Sequence, residues 1–167
     1  MEQQHIKLLD SMKDGQTLVD LLSEGCPFPL AVTGLSMMPL LKSERDFVWL
    51  QKCESIQRGR ILFFRRDNGM FVLHRVRKVR ADGTMLLNGD AQSFCETVRP
   101  EQALAVVTQI VRRGKVIPWD YPLLRLWDLL WYPTRPVRPW LFRLYGRIQS
   151  LWKQKKRRPA EGESANE

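Results

Sequence analysis

Between Asp46 and Gly114 the chain is cut into short apolar runs by turn residues, and that punctuation leaves few folds open. FVWL is followed by RGRILFFRR, MFVLHRVRKV, TMLLNGD and ALAVVTQIVRRG, with Asn68-Gly69 and Asp82-Gly83 between consecutive runs. Each run is of strand length and rich in Val, Ile, Leu and Phe, side chains that fit a pleated surface. Asn-Gly and Asp-Gly supply the positive backbone dihedrals that tight hairpins want. The middle third therefore predicts a small, twisted, partly closed antiparallel sheet.

The flanks have helical spacing instead. Ile6, Leu9, Met12, Leu18, Leu21 and Leu22 recur at the intervals of one helical face, which ends at Gly25. Beyond Pro118, two helical stretches are separated by Pro133, Pro136 and Pro139, residues that a continuing helix excludes. In the second, Leu141, Leu144, Tyr145, Ile148, Leu151 and Trp152 share one face, with Arg143, Arg147, Ser150 and Gln154 opposite. The fold class expected is mainly β with flanking helices (α+β). Its parts are an N-terminal helical segment at 1–25, a β domain at 26–118, basic aromatic amphipathic helices at 119–158, and a disordered tail at 159–167.

Charge is confined to one part of this plan. Residues 122–158 hold ten Lys or Arg against the single acid Asp128, and the remaining chain, with seventeen of each sign, is formally neutral. The whole net charge of +9 thus belongs to one C-terminal segment that also carries four of the six tryptophans. A partner explained by charge should meet that segment. Three readings follow: packing on the sheet or in a homodimer, peripheral contact of 122–158 with an anionic membrane, or contact with nucleic-acid phosphates without base reading.

The first residues, MEQQHIKLLDSMKDGQTLVDLL, contain acids and no continuous apolar core, which predicts neither a secretory signal nor an anchor. No run of about 18 uncharged apolar residues occurs, so the expected location is cytoplasmic, or peripheral on the inner face of the membrane. Cys26, Cys53 and Cys95 are odd in number and widely spaced, with only His5 and His74 as companions. That pattern predicts buried or incidental thiols, with no metal site, disulfide framework or cofactor.

Three stretches suggest chemistry when taken together. TGLSMMP, then RGRILFF leading into LHRV, then LLNGD, resemble in order and spacing the serine peptidases of the signal peptidase and LexA-like clan. The likeness spans about residues 30 to 112. It implies that Ser36 in the Gly-Leu-Ser-Met turn is the nucleophile and His74 in His-Arg-Val the general base. The histidine is similar to that of the archaeal and endoplasmic reticulum branch of signal peptidases and of related stand-alone bacterial peptidases, whereas TGLSM is similar to the LexA-like turn. Where the clan usually has Gly-Asp before its apolar strand, this chain has Gly59-Arg60, and Asp46 fits another sheet-shaping position.

The chemistry has its own logic. A serine hydroxyl attacks well only when a base takes its proton, and imidazole suits that near neutrality. A carboxylate should hold the imidazole tautomer. Asp90 is the first candidate, because a short side chain on a turn is well fixed. Glu96 is the alternative, because in the endoplasmic reticulum branch the orienting acid lies beyond the Gly-Asp turn. The Ser36 amide and the Thr33 hydroxyl would serve the oxyanion, with Gly34 allowing the sharp turn and Met37 completing the substrate side. Lys78 is a rival base; four residues along a strand from His74 it lies some 13 Å away, which makes it a solvated charge.

The activity implied is that of a serine endopeptidase cutting an extended peptide or protein, a leader, a propeptide or itself, paired along a strand edge. A different class remains as the alternative: a noncatalytic binding or regulatory module that keeps the peptidase-like sheet and uses its basic segment for membrane or nucleic-acid contact. No helix-turn-helix or winged domain fits the short N-terminal segment, so sequence-specific nucleic-acid reading is not expected.

Overall fold

The computed structural model describes residues 19–20, 22, 24–52 and 55–156, without the side chains of 149 and 151–156. Its strands are β1 (Phe28–Ala31), β2 (Asp46–Gln51), β3 (Ile61–Arg65), β4 (Phe71–Val79), β5 (Met85–Asn88), β6 (Glu96–Val98), β7 (Ala103–Arg112) and β8 (Lys115–Pro118). All pair antiparallel in the order β1-β2-β7-β3-β4-β5-β6, with β8 on β7. The α+β class expected from the sequence is therefore observed. The path is open: β1 and β6 end it without pairing to each other.

Alternation along the strands divides the apolar side chains between two cores, because successive residues point to opposite faces. In β3, Ile61 and Phe63 join a large cluster with Val48, Leu50, Val107 and Ile110. Leu62 and Phe64 join a smaller one with Val76, Met85, Leu87 and Val98. Gly69 and Gly83 supply the positive dihedrals of the predicted hairpins, at φ 84° and 80°, but Asn68 and Asp82 do not share them. Their side chains instead accept from the amides of Met70 and Thr84, turning the chain by a side-chain hydrogen bond.

Three strands escape sequence reading. β1 contains Pro29, whose missing N–H fits an edge position; β6 has three residues and β8 four, too few for a period. Asp46 opens β2, buried, and accepts from Arg45, Arg112 and the Lys42 amide, so it does shape the sheet. Burial pushes its carboxyl up, but the two guanidiniums and the amide outweigh that and hold it below the ordinary value.

After the sheet come α1 (Pro122–Trp131), a 3-10 stretch (Tyr132–Val137) and α2 (Arg138–Lys156). Pro122 opens α1 where a missing N–H costs nothing, and Pro133 and Pro136 fall in the 3-10 stretch. α1 docks through Leu124, which is buried in the large core with Trp127 against it; a buried leucine stabilises by roughly 1.5–3 kcal/mol. Of the predicted N-terminal helix, Val19, Asp20 and Leu22 are helical and Leu22 is buried; the rest of that segment, like 157–167, lies outside the described residues.

Candidate active site

The stretch that holds Ser36 is a tight turn between β1 and β2. Val32 donates to the Asp46 carbonyl, which fixes where the chain leaves β1. Gly34 then takes φ 77°, a conformation that a side chain would strain. Met38 donates to Leu35 and Leu41 to Met37, the Met38-Pro39 peptide is cis, and Met37, Leu40 and Leu41 sink into the large core. These anchors leave Ser36 half-buried and Leu35 69% exposed.

A second turn supports the first. The Ala91 amide donates to the Ser36 carbonyl at 2.8 Å. Gly89 approaches so closely that an added Cβ would stand 2.7 Å from that oxygen and 2.8 Å from Gln92 Oε1. Here glycine is required by space, since its φ is not in the left-handed region.

His74 lies on β4, opposite Leu62 of β3, and is 1% exposed. Its Nδ1 meets Glu96 Oε1, a residue of β6 that reaches it across β5. Phe64 lies beside the imidazole with ring centroids 5.9 Å apart. Glu96 in turn accepts from Arg66 in two bonds, Nε to Oε2 at 2.8 Å and Nη2 to Oε1 at 2.9 Å. Burial lowers the His74 pKa from its ordinary 6.5 more than Glu96 raises it. Burial alone would raise Glu96, yet Arg66 and His74 hold it below its ordinary value. The pair is thus a neutral imidazole beside an ionised carboxylate near neutrality. Both ring nitrogens of His74 are buried, and neither makes a well-aligned hydrogen bond among the described residues, so Nδ1 and Glu96 meet as a close charge contact while Nε2 has no neighbouring partner.

Asp90, the first candidate for orienting His74, is engaged elsewhere. It accepts from Arg75 in two bonds, at 3.0 and 2.7 Å, and from Arg77 Nη2 at 3.1 Å. The physical reason is strand alternation: Arg75 follows His74 and points to the opposite face, where Asp90 lies, whereas Glu96 is on the His74 side. Asp128 of α1 closes this cluster on Arg75 and Arg77, and Trp131 Nε1 donates to the Asp90 carbonyl at 2.7 Å. Lys78 is exposed and lies outside the His74 cleft, on a separate cavity with Arg58 and Tyr132.

A cleft of about 510 Å³ collects the remaining candidates: Thr33, Gly34, Ser36 and Met37 line it together with His74 and Arg66. Thr33 is exposed at its wall, and Met37 contributes although its side chain is an anchor in the core. Leu30 and Ala31 of the edge strand β1 line it too, as does Leu73 of β4.

Sequence reasoning missed Arg66 and the contribution of the C-terminal segment. Arg138 is fully buried and donates to Asn88 Oδ1 at 2.9 Å and to the carbonyls of Gly89, Gln92 and Trp131 at 3.3, 2.8 and 3.0 Å. Burial pushes its guanidinium down to about 10, which leaves it charged at neutral pH. Trp131 and Arg138 therefore brace the turn on which the Ser36 loop rests. One arginine among ten basic residues carried no sign of burial in the sequence.

The two described thiols are not buried, which leaves the incidental reading for them. Cys26 is exposed, and Cys95 is half-buried and accepts from Arg135 at 3.0 Å; Cys53 and His5 lie outside the described residues. Among the described residues no group of three or more His, Cys, Asp or Glu side chains could hold a metal ion. Comparison with protein-family models, with curated proteins and with solved structures yields no match for this chain.

Proposed function

We propose that the chain is a serine endopeptidase of the signal peptidase and LexA-like type, with Ser36 as nucleophile, His74 as general base and Glu96 as the acid that orients it. The observation that carries this reading is that Ser36 and His74 line one cleft while Glu96 holds Nδ1. That leaves Nε2 to act on the serine. Asp90 has another role, clamping the turn beneath the nucleophile.

In the reaction Ser36 Oγ bonds to the scissile carbonyl carbon as its proton passes to His74 Nε2, and the carbonyl electrons move onto oxygen. The Ser36 amide and the Thr33 hydroxyl donate to that oxyanion. Glu96 stabilises the imidazolium, and Arg66 keeps Glu96 ionised and fixed. Collapse breaks the C–N bond, and the departing amine takes the proton from Nε2. A water molecule then repeats the sequence on the acyl ester, its proton going to Nε2 and then to Ser36 Oγ, which frees the acid. An extended substrate would satisfy its backbone by pairing with the open edge of β1, which borders the cleft.

A fluorophosphonate probe tests the assignment. It should label Ser36 in the full chain and fail to label Ser36→Ala, with labelling much slowed in His74→Ala. No labelling of a folded wild-type chain would return the protein to the noncatalytic binding module.

A further inference from the structure

The helices that brace the candidate site on one side leave a different surface on the other. Leu124, Trp127, Asp128 and Trp131 face the sheet and its ion cluster. On the opposite side of α1, Leu126, Leu129 and Leu130 are 47, 69 and 64% exposed. α2 continues the pattern with Trp140, Leu144 and Ile148 at four-residue spacing, exposed by 63, 42 and 45%. Arg125, Arg143 and Arg147 are exposed on the same two helices. No helix among the described residues is long and apolar enough to cross a membrane.

We propose that this outer surface of α1 and α2 docks on an anionic lipid bilayer, lying along the interface with its leucines and Trp140 in the acyl boundary and its arginines at the headgroups. Charge decides between the occupants. The only acid of 122–158, Asp128, is spent internally on Arg75 and Arg77, so nothing within the segment neutralises its surface cations. A second copy would bring an equally basic segment against them, like charge against like. Nucleic acid would match the charge but leave the exposed leucines in water. Anionic lipid meets both needs, and an interfacial Trp beside basic residues suits the headgroup boundary.

The inference is independent of the peptidase reading, and its test needs no activity. The full chain should cosediment with vesicles of phosphatidylcholine mixed with phosphatidylglycerol, and far less with phosphatidylcholine alone. Two variants separate the forces: Leu126→Ser/Leu130→Ser/Trp140→Ser and Arg143→Glu/Arg147→Glu, all at exposed positions, with circular dichroism and melting temperature checking that each stays folded. Each should reduce partitioning on the order of tenfold or more, and high salt should weaken the wild type. The proposal is overturned if the wild type ignores anionic vesicles at low salt. Binding unchanged in the folded variants would overturn it as well. So would sedimentation showing a dimer, or RNA binding, that these variants abolish while vesicles are not bound.

Discussion

Gly89 lies against the carbonyl of Ser36 at a distance that no other residue permits. A Cβ at that position would stand 2.7 Å from the Ser36 oxygen, closer than real Cβ contacts come. The obstacle is backbone, which cannot swing aside as a side-chain tip would. Gly89→Ala should therefore move the Ser36 turn and cut kcat/KM by at least about a hundredfold, since a shift near 1 Å at a reacting atom costs that much. Thermal unfolding and probe labelling, run together, check that the loss exceeds any loss of fold. An alanine variant with unchanged activity would mean that the turn position does not matter to catalysis.

With Glu96 proposed to orient His74 and Asp90 to clamp the turn, the two carboxylates should give opposite signatures. Glu96→Gln keeps the shape but presents an amide to Nδ1, and kcat should fall about a hundredfold to ten-thousandfold with little change in melting temperature. Asp90→Asn leaves Arg75 and Arg77 short of a buried partner, and stability should fall by about 3–5 kcal/mol. Denaturant titration with steady-state kinetics on both variants checks the pair. A catalytic loss confined to Asp90→Asn would reverse the assignment.

The His74 environment predicts a pH profile. Burial outweighs the attraction of Glu96 and lowers the imidazole pKa from 6.5, so the neutral base persists to more acid pH than free histidine would allow. Activity should be level through neutrality and fall along a limb below 6.5 as His74 gains a proton. Glu96→Gln removes a group that raises the value, so the limb should move further toward acid. A pH series of kcat/KM on a peptide substrate checks both directions.

The C-terminal segment should be inseparable from the fold. A chain ending at Trp119 loses Leu124 from the large core and the buried Arg138 that donates to the carbonyls of Gly89 and Gln92. It should be markedly less stable and inactive in hydrolysis. The point variant Arg138→Met should cost about 2–4 kcal/mol, since bonds to a charged donor contribute roughly 1.5–3 kcal/mol each and several are lost together. Amide exchange around 88–92 gives the specific readout, because the carbonyls of Gly89 and Gln92 lose one of their donors and the turn its brace.

Asp46 sets an acid limit on the sheet. Its folded pKa lies below the ordinary 3.8, so its stabilisation is complete above 3.8 and is lost as pH falls through the folded value. Asp46→Asn should cost about 2 kcal/mol at neutral pH and flatten the stability curve on its acid side. Urea unfolding at a series of pH values checks the difference between the two curves.

What the sequence determined by itself was local. Period-two runs and glycine turns specify the hairpins β3-β4 and β4-β5, prolines divide the C-terminal helices, and the Ser36 and His74 motifs stand out because each is contained in a few consecutive residues. The tertiary structure decided what depends on distant pairings. β7 inserts between β2 and β3, a placement no turn residue encodes. That Glu96 meets His74 while Asp90 meets Arg75 follows from which face each reaches, and for Glu96 that is set by a three-residue strand, β6, too short to show a period. Arg138 looks like any other base of its segment until the fold buries it beneath Asn88 and Gly89. Hydrophobic period and turn chemistry act over a few residues and are written in order along the chain. Ion pairing and burial act through space, between residues brought together only once the sheet has formed.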